Sequence, residues 1–177
     1  YVREFIEEEQ RDTCCADIST IAREQWQREL EARLKRPPLL LLDTHLLSNK
    51  LWSEVLFNTS PPWLEAALQQ QHYDLVGLLS PDGLPWQADG QRCQPELAKR
   101  QHFHQQLETW LLAHQQPVLH LEGSWHARYQ KLEQAIEELL HGSPAVNSPK
   151  PSRPGGAALA CYIARPTNGL PLLRWQP

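Results

Sequence analysis

Apolar residues recur at helical spacing early in the chain. Ile18, Ile21, Ala22, Trp26, Leu30 and Leu34 fall along one side of a predicted helix. Asp17 precedes that stripe as an N-cap, Lys35 and Arg36 suit the negative end of the helix, and Pro37-Pro38 stop it. The stretch Val2 to Gln10 before it is short and acidic and reads as a helix. Leu39-Leu40-Leu41-Leu42 then has no polar interruption, the mark of a strand buried on both faces, and ends in Asp43-Thr44. A helix follows through Lys50, Leu51, Trp52, Val55 and Leu56, and Pro61-Pro62 open another from Trp63 to Gln71. Tyr73 to Leu79 is a second apolar strand. Ser80 to Cys93 is rich in Pro, Gly and Asp and reads as a long loop carrying Trp86. Pro95 starts a helix with Leu97, Phe103, Leu107, Trp110 and Leu111 on one side. Val118 to Leu121 is a third strand, and Tyr129, Leu132, Ala135, Ile136, Leu139 and Leu140 mark a last amphipathic helix.

Helices alternating with wholly apolar strands predict an α/β fold of three layers, a parallel sheet with helices on both faces. Ligands of such sheets bind beyond the carboxyl ends of the strands. Asp43, the loop after Leu79, and Glu122-Gly123 all fall at that edge. Residues 1–141 are expected to form the folded domain. Residues 143–177 hold seven of the 15 prolines, so 142–177 is expected to be a disordered tail. Within it, Ala157 to Ala164 reads as a strand or a short helix with no assigned place.

Charge narrows the function. The tail from Gly142 carries Lys150, Arg153, Arg165 and Arg174 and no acid, leaving 13 of the 17 basic residues and all 21 acidic ones in the first 141, a net of −8. A surface that tracks nucleic-acid phosphates needs clustered positive charge, so nucleic acid is excluded as a partner. No apolar run approaches the ~18–20 residues of a membrane helix, which excludes a membrane partner of that kind. Cys14, Cys15, Cys93 and Cys161 contain no CxxC spacing and read as reduced thiols of a cytoplasmic protein. His102 and His104, two residues apart, lie on different helix faces and do not suggest a metal clamp. The chain has no methionine, even at position 1, so it is expected to be a fragment of a longer protein.

Three places can carry chemistry. Asp43, at the end of an apolar strand, can hold Mg²⁺ beside nucleotide phosphates or accept a proton from an attacking hydroxyl. Capping of the next helix by Asp43 or Thr44 accounts for it equally well. In Trp86-Gln87-Ala88-Asp89-Gly90-Gln91-Arg92 the aromatic ring can stack on a base and the arginine can stabilise a transferring phosphoryl group, while an ordinary Asp-Gly turn explains the same residues. Arg100 can join Arg92 near phosphates or be a surface charge. In Glu122-Gly123-Ser124, Gly123 permits a tight turn and Ser124 caps the last helix, and Arg128 on its first turn can approach a nucleotide or be a solvated arginine at a capped strand-to-helix junction. No GxxxxGK[ST] phosphate loop occurs in these 177 residues.

Taken together, these segments resemble the kinase domain of NadR-type ribosylnicotinamide kinases and related small P-loop ATPases. The resemblance runs through Tyr1-Val2-Arg3-Glu4-Phe5, Ile21-Ala22-Arg23-Glu24-Gln25, Leu41-Leu42-Asp43-Thr44 with Leu51-Trp52-Ser53-Glu54, and Tyr73-Asp74-Leu75. It continues through Leu84-Pro85-Trp86 to Arg92, Arg100 with Phe103-His104, Pro117-Val118-Leu119, and Glu122-Gly123 followed by Arg128. It implies a P-loop fold whose first strand and phosphate loop precede Tyr1. It also implies ATP-dependent phosphorylation of nicotinamide riboside to nicotinamide mononucleotide, with ATP and Mg²⁺. Carried over, Asp43 is the Mg²⁺-associated or base-like acid. Arg3, Trp52, Trp86 and Asp89 serve the nucleoside, Arg92 and Arg100 are lid arginines facing the phosphates, and Arg128 lies near the ATP base or phosphates. His45 departs from the family pattern, where many relatives carry a second acid. A related P-loop ATPase of other substrate, or a non-catalytic nucleotide-binding remnant, remain the alternative readings, and the oligomeric state is open.

Overall fold

The structure, a computed structural model, describes residues 2–83, 85–86, 94–141 and 160–164. Helix α1 is Val2–Glu9 and α2 is Cys15–Leu34. Strand β1 (Leu40–Leu42) leads into α3 (Leu46–Phe57) and α4 (Pro62–Leu68). Strand β2 (Leu75–Leu79), α5 (Leu97–Ala113), β3 (Val118–Leu121), α6 (Trp125–His141) and β4 (Ala160–Ala164) complete the described chain.

Helix α2 begins before the expected cap. Cys14 is its N-cap, and Asp17 sits on the first turn, where its carboxylate accepts the Cys14 N–H at 2.7 Å. The same carboxylate takes a forked pair from Arg11 at 2.7 and 2.9 Å. These bonds stabilise the ionised form and hold the Asp17 carboxyl well below its ordinary range. Helix α3 ends at Asn58 in the left-handed conformation, its N–H donating to the Glu54 carbonyl at 2.9 Å. Pro62 opens α4 from the first turn, where its missing N–H costs nothing.

The sheet has the order β1-β4-β2-β3. β2 and β3 are parallel, and β4 is antiparallel to both β1 and β2. The three strands read from sequence therefore run the same way, with their carboxyl ends at one edge. The sheet is nevertheless mixed where an all-parallel one was expected. Its fourth strand comes from the stretch read as a disordered tail; the rest of 142–177 lies outside the described residues. The physical reason is pairing. Tyr162 stands opposite Leu42 on one side and Val76 on the other, and Ile163 opposite Leu41 and Leu75. Without β4, facing rows of N–H and C=O groups on β1 and β2 would be left unpaired. Tyr162 and Ile163 are fully buried.

Side chains alternate across the sheet. Leu42, Tyr162, Ala164, Val76 and Val118 share the face that packs on Ile18 and Ala22 of α2, Leu47 and Leu51 of α3, Leu64 and Leu68 of α4, and Phe103 and Leu107 of α5. Helix α6 packs along β3. Where β1 meets the end of α2, the core is polar-lined. The His45 ring lies 3.9 Å from that of Tyr162 and edge-on to Tyr73 at 4.9 Å. The Tyr73 hydroxyl donates to the buried Glu29 carboxylate at 3.1 Å, and Arg33 pairs with that carboxylate at 2.7 Å. Burial first, then Glu29, push the Tyr73 hydroxyl well above its usual range. Burial, aided by Arg33, pulls His45 down to about 3.

This packing ties stability to pH through His45 and to the fit of β4. The unfolded chain takes a proton on His45 below its ordinary 6.5, while the folded chain does so only near 3. The His45 contribution to stability is therefore intact above 6.5 and lost as pH falls toward 3, by roughly 1.4 kcal/mol per pH unit. In urea denaturation, wild type is expected to lose stability relative to His45→Asn by about 2–3 kcal/mol between pH 7 and 4.5; parallel loss in both would contradict it. Tyr162→Ala, which empties a fully buried site in β4, is expected to cost about 3–5 kcal/mol. Leu41→Ala on β1, where the side chain is 53% exposed, should cost under about 1 kcal/mol by the same measurement.

Candidate functional site

The carboxyl ends of β1, β2 and β3 present Asp43-Thr44, Ser80 to Gly83, and Glu122-Gly123. Because β4 lies between β1 and β2, the first of these segments stands about 9–10 Å from the second, two strand spacings away.

At the end of β1, Asp43 is exposed. His45 is the N-cap of α3, its Nδ1 accepting the Leu47 N–H at 3.3 Å. The capping role weighed for Asp43 and Thr44 is thus filled by the residue after them. Thr44 Oγ1 accepts from Gln25 Nε2 at 2.6 Å, and Gln25 Oε1 accepts from Asn49 Nδ2 at 2.7 Å. This α2–turn–α3 chain fixes the stretch that presents Asp43. Neither Gln25 nor Asn49 was singled out from sequence, since single amides 24 residues apart carry no signal of contact.

The ends of β2 and β3 are tied together more tightly. Ser80 N–H donates to the Leu121 carbonyl at 2.9 Å. The Ser80 hydroxyl accepts the Asp82 N–H at 3.2 Å, and Gln101 Nε2 donates to Asp82 Oδ1 at 2.8 Å. Gly83 and Gly123 both take the left-handed backbone. Arg128 on the first turns of α6 is 2% exposed. It donates from Nε to the Gly123 carbonyl at 2.8 Å, from Nη1 to that of Ser80 at 2.6 Å and from Nη2 to that of Asp82 at 2.7 Å. Ser124 Oγ accepts the Ala127 N–H at 3.3 Å, the helix cap expected of it.

Other candidates are more dispersed. Arg100 is half-buried and donates to the carbonyls of Gln94 and Pro95 at 3.1 and 2.5 Å, closing the entry to α5. Trp52 is half-buried with its ring 4.6 Å from that of Phe103. Trp86 is half-buried. Arg3 lies in α1, and its side chain, together with Asp89 and Arg92, falls outside the described residues. His104 lies within the electrostatic reach of Glu108, His120, Asp82 and Glu122, a group sequence spacing did not reveal. Burial sets its shift, lowering its pKa. His120 Nε2 lies 3.5 Å from Glu108 Oε1. Among the described residues no three His, Cys, Asp or Glu groups are spaced to hold a metal ion by themselves. Asp43 suits Mg²⁺ differently: Mg²⁺ takes one or two carboxylate oxygens and completes its shell with water and phosphate, and an exposed carboxylate beside a threonine hydroxyl fits that need. A groove of about 480 Å³ between α3 and α5 is lined by Leu51, Gln106, Trp110 and His114. It runs along α5 from His102 to His114, whereas ligands of such sheets bind beyond the carboxyl ends of the strands, so the carboxyl edge is the better candidate for chemistry.

The profile of the AAA domain family matches residues 1–128. No curated protein and no solved structure matches the chain. The matched span takes in β1, β2 and β3 with their carboxyl ends and stops at Arg128, ahead of β4. Nearly three quarters of the 177 residues thus fall inside the match, and the chain belongs to the AAA domain family, as a P-loop ATPase- or kinase-like domain of the nucleotide-binding class.

Proposed function

We propose that the intact protein transfers the γ-phosphoryl group of ATP to a hydroxyl of nicotinamide riboside, giving nicotinamide mononucleotide. The observation that carries this reading is the gathering of three like-directed strand ends, one bearing an exposed acid, on one edge of a P-loop-class domain. The choice of substrate rests on the resemblance of the segments around Arg3, Asp43, Trp86 and Arg92 to ribosylnicotinamide kinases. Mg²⁺, when bound beside Asp43, supplies charge neutralisation on the phosphates. Asp43 accepts the proton of the attacking hydroxyl. Trp86 stacks on the cationic nicotinamide ring, whose positive charge favours an aromatic face, and Trp52, Arg3 and Asp89 border the nucleoside. Arg92 and Arg100 face the phosphates, and Arg128 stands at the nucleotide edge. The partners are small molecules, and the cytoplasm suits the exposed free thiols of Cys14 and Cys15. No described helix is long and apolar enough to cross a membrane.

One observation favours a second reading, a related P-loop ATPase of other substrate. His45 occupies the position of the second acid of many ribosylnicotinamide kinases and is buried as a neutral ring, so it offers neither ribose nor Mg²⁺ a carboxylate.

A coupled assay for ADP release, run on the full natural protein with nicotinamide riboside and Mg-ATP, decides between them. Turnover is expected, and Asp43→Asn should lower kcat by about 10²–10⁴-fold with an unchanged melting temperature. Turnover of other nucleosides but not of nicotinamide riboside would remove the substrate assignment. The 177-residue chain alone, which carries no GxxxxGK[ST], is expected to bind Mg-ATP more weakly than micromolar in calorimetry.

A further inference from the structure

We infer that Arg128 is a positioning residue: it locks the loop after β2 to the turn after β3, and the nucleotide edge depends on it through those two segments, not through a contact of its own with phosphate. This rests on the reading of the carboxyl edge as the nucleotide site.

The geometry separates two roles an arginine can have at such an edge. A phosphate-contacting arginine turns its guanidinium outward. Arg128 is 2% exposed, and each of its three nitrogens donates to a different backbone carbonyl. Two of those carbonyls, Ser80 and Asp82, lie 48 and 46 residues before it, and the third, Gly123, lies five before it. The bonds therefore join segments that the sequence keeps far apart. Ser80 and Asp82 carbonyls are gripped together, which fixes the direction in which the chain leaves β2. The neighbouring backbone is arranged for this contact. Gly83 and Gly123 take the left-handed conformation, and a Cβ on Gly83 would lie 4.0 Å from the Gly123 carbonyl oxygen, so the two turns abut. Gln101 holds the Asp82 carboxylate from the α5 side. The rigid planar fork of a guanidinium reaches the three carbonyls from three separate nitrogens; an ammonium also has three donors, but they radiate from a single nitrogen and do not match carbonyls spread along such a fork. Arg128→Lys keeps the charge and removes the fork, so charge and geometry can be told apart.

The test uses Arg128→Lys and Arg128→Ala in the full natural protein. Hydrogen exchange without nucleotide is expected to rise at least tenfold at the amides of Ser80, Asp82 and Gly83 and of 123–127 in both variants, with the amides around Leu47 and Leu64 unchanged. Mg-ATP affinity should fall at least tenfold, and to a similar extent in both. Millimolar guanidinium chloride should restore slow exchange to Arg128→Ala and not to Arg128→Lys, whose side chain still fills the site. Where Arg128→Ala does not fold, Arg128→Lys retains the stem and the charge and decides the matter alone. Unchanged exchange in Arg128→Lys, or near wild-type Mg-ATP binding by it, would overturn the inference in favour of a simple charge contact. If wild type itself binds no Mg-ATP, the nucleotide reading fails, and the exchange result still shows whether Arg128 sets the two loops.

Discussion

The backbone groups of β1 and β2 that face each other across the sheet must find hydrogen-bond partners, and the rest of the structure follows from how they do so. Between two like-directed strands about 9–10 Å apart, one further strand can satisfy both rows. β4 does so, with Tyr162 and Ile163 each opposite a residue of β1 and a residue of β2. It also plugs the core, because Tyr162 and Ala164 of the same strand fill the space under α2 to α5, while Ile163 is buried on the other face of the sheet. Pairing and packing are therefore one event here. A chain in which β4 left its place would lose the ladder on both sides together with the contact between Tyr162, Tyr73 and His45.

The same strand sets the shape of the carboxyl edge. By separating β1 from β2 it keeps Asp43 apart from the loop after β2, while β2 and β3, directly paired, bring Ser80, Asp82 and Gly123 within reach of one guanidinium. The edge thus has two differently built halves. The Asp43 side is anchored by amide and hydroxyl side chains from α2 and α3, which leave the carboxylate exposed. The Arg128 side is anchored through main-chain carbonyls, which fixes the path of the chain and leaves the side chains of Asp82 and Glu122 at the surface.

How far the sequence reveals this can be seen from particular residues. β1, β2 and β3 are legible because each is an apolar run between helical patterns, and their common direction follows from the connecting helices. Asp43 is legible as a strand-end acid for the same reason. β4 is legible only as an ordered run, Ala157 to Ala164, that fits strand or helix alike inside a Pro- and Gly-rich stretch, and only the topology of the other strands gives it a place. The start of α2 is misread since Asp17 fits either a cap or a first-turn acid, and only the Cys14 N–H and Arg11 decide between them. Arg128 stands out as a charge near a strand end, but its partners are carbonyls, which every residue has, so no side-chain pattern announces them. His45 reads in sequence only as a departure from a family acid, and its burial against Tyr73 and Tyr162, both distant along the chain, does not show there.

Charge balance at the edge bears on what can bind there. Asp43, Asp82 and Glu122 are exposed carboxylates, while Arg128 is buried with its donors turned to carbonyls. A bare triphosphate brought to this edge would meet like charge from three groups, each repulsion weakened by water but all of one sign. A triphosphate carrying a divalent cation would not, since the cation can share its oxygens with Asp43 and cancel charge on both. On the function proposed above, nucleotide and cation therefore enter together. Any additional positive charge has to come from side chains less committed than Arg128, and Arg100, held by two carbonyls near the start of α5, is only half-buried. It can be released at the cost of those two bonds, whereas freeing Arg128 would undo the join between β2 and β3, which makes Arg100 the cation better suited to follow a substrate.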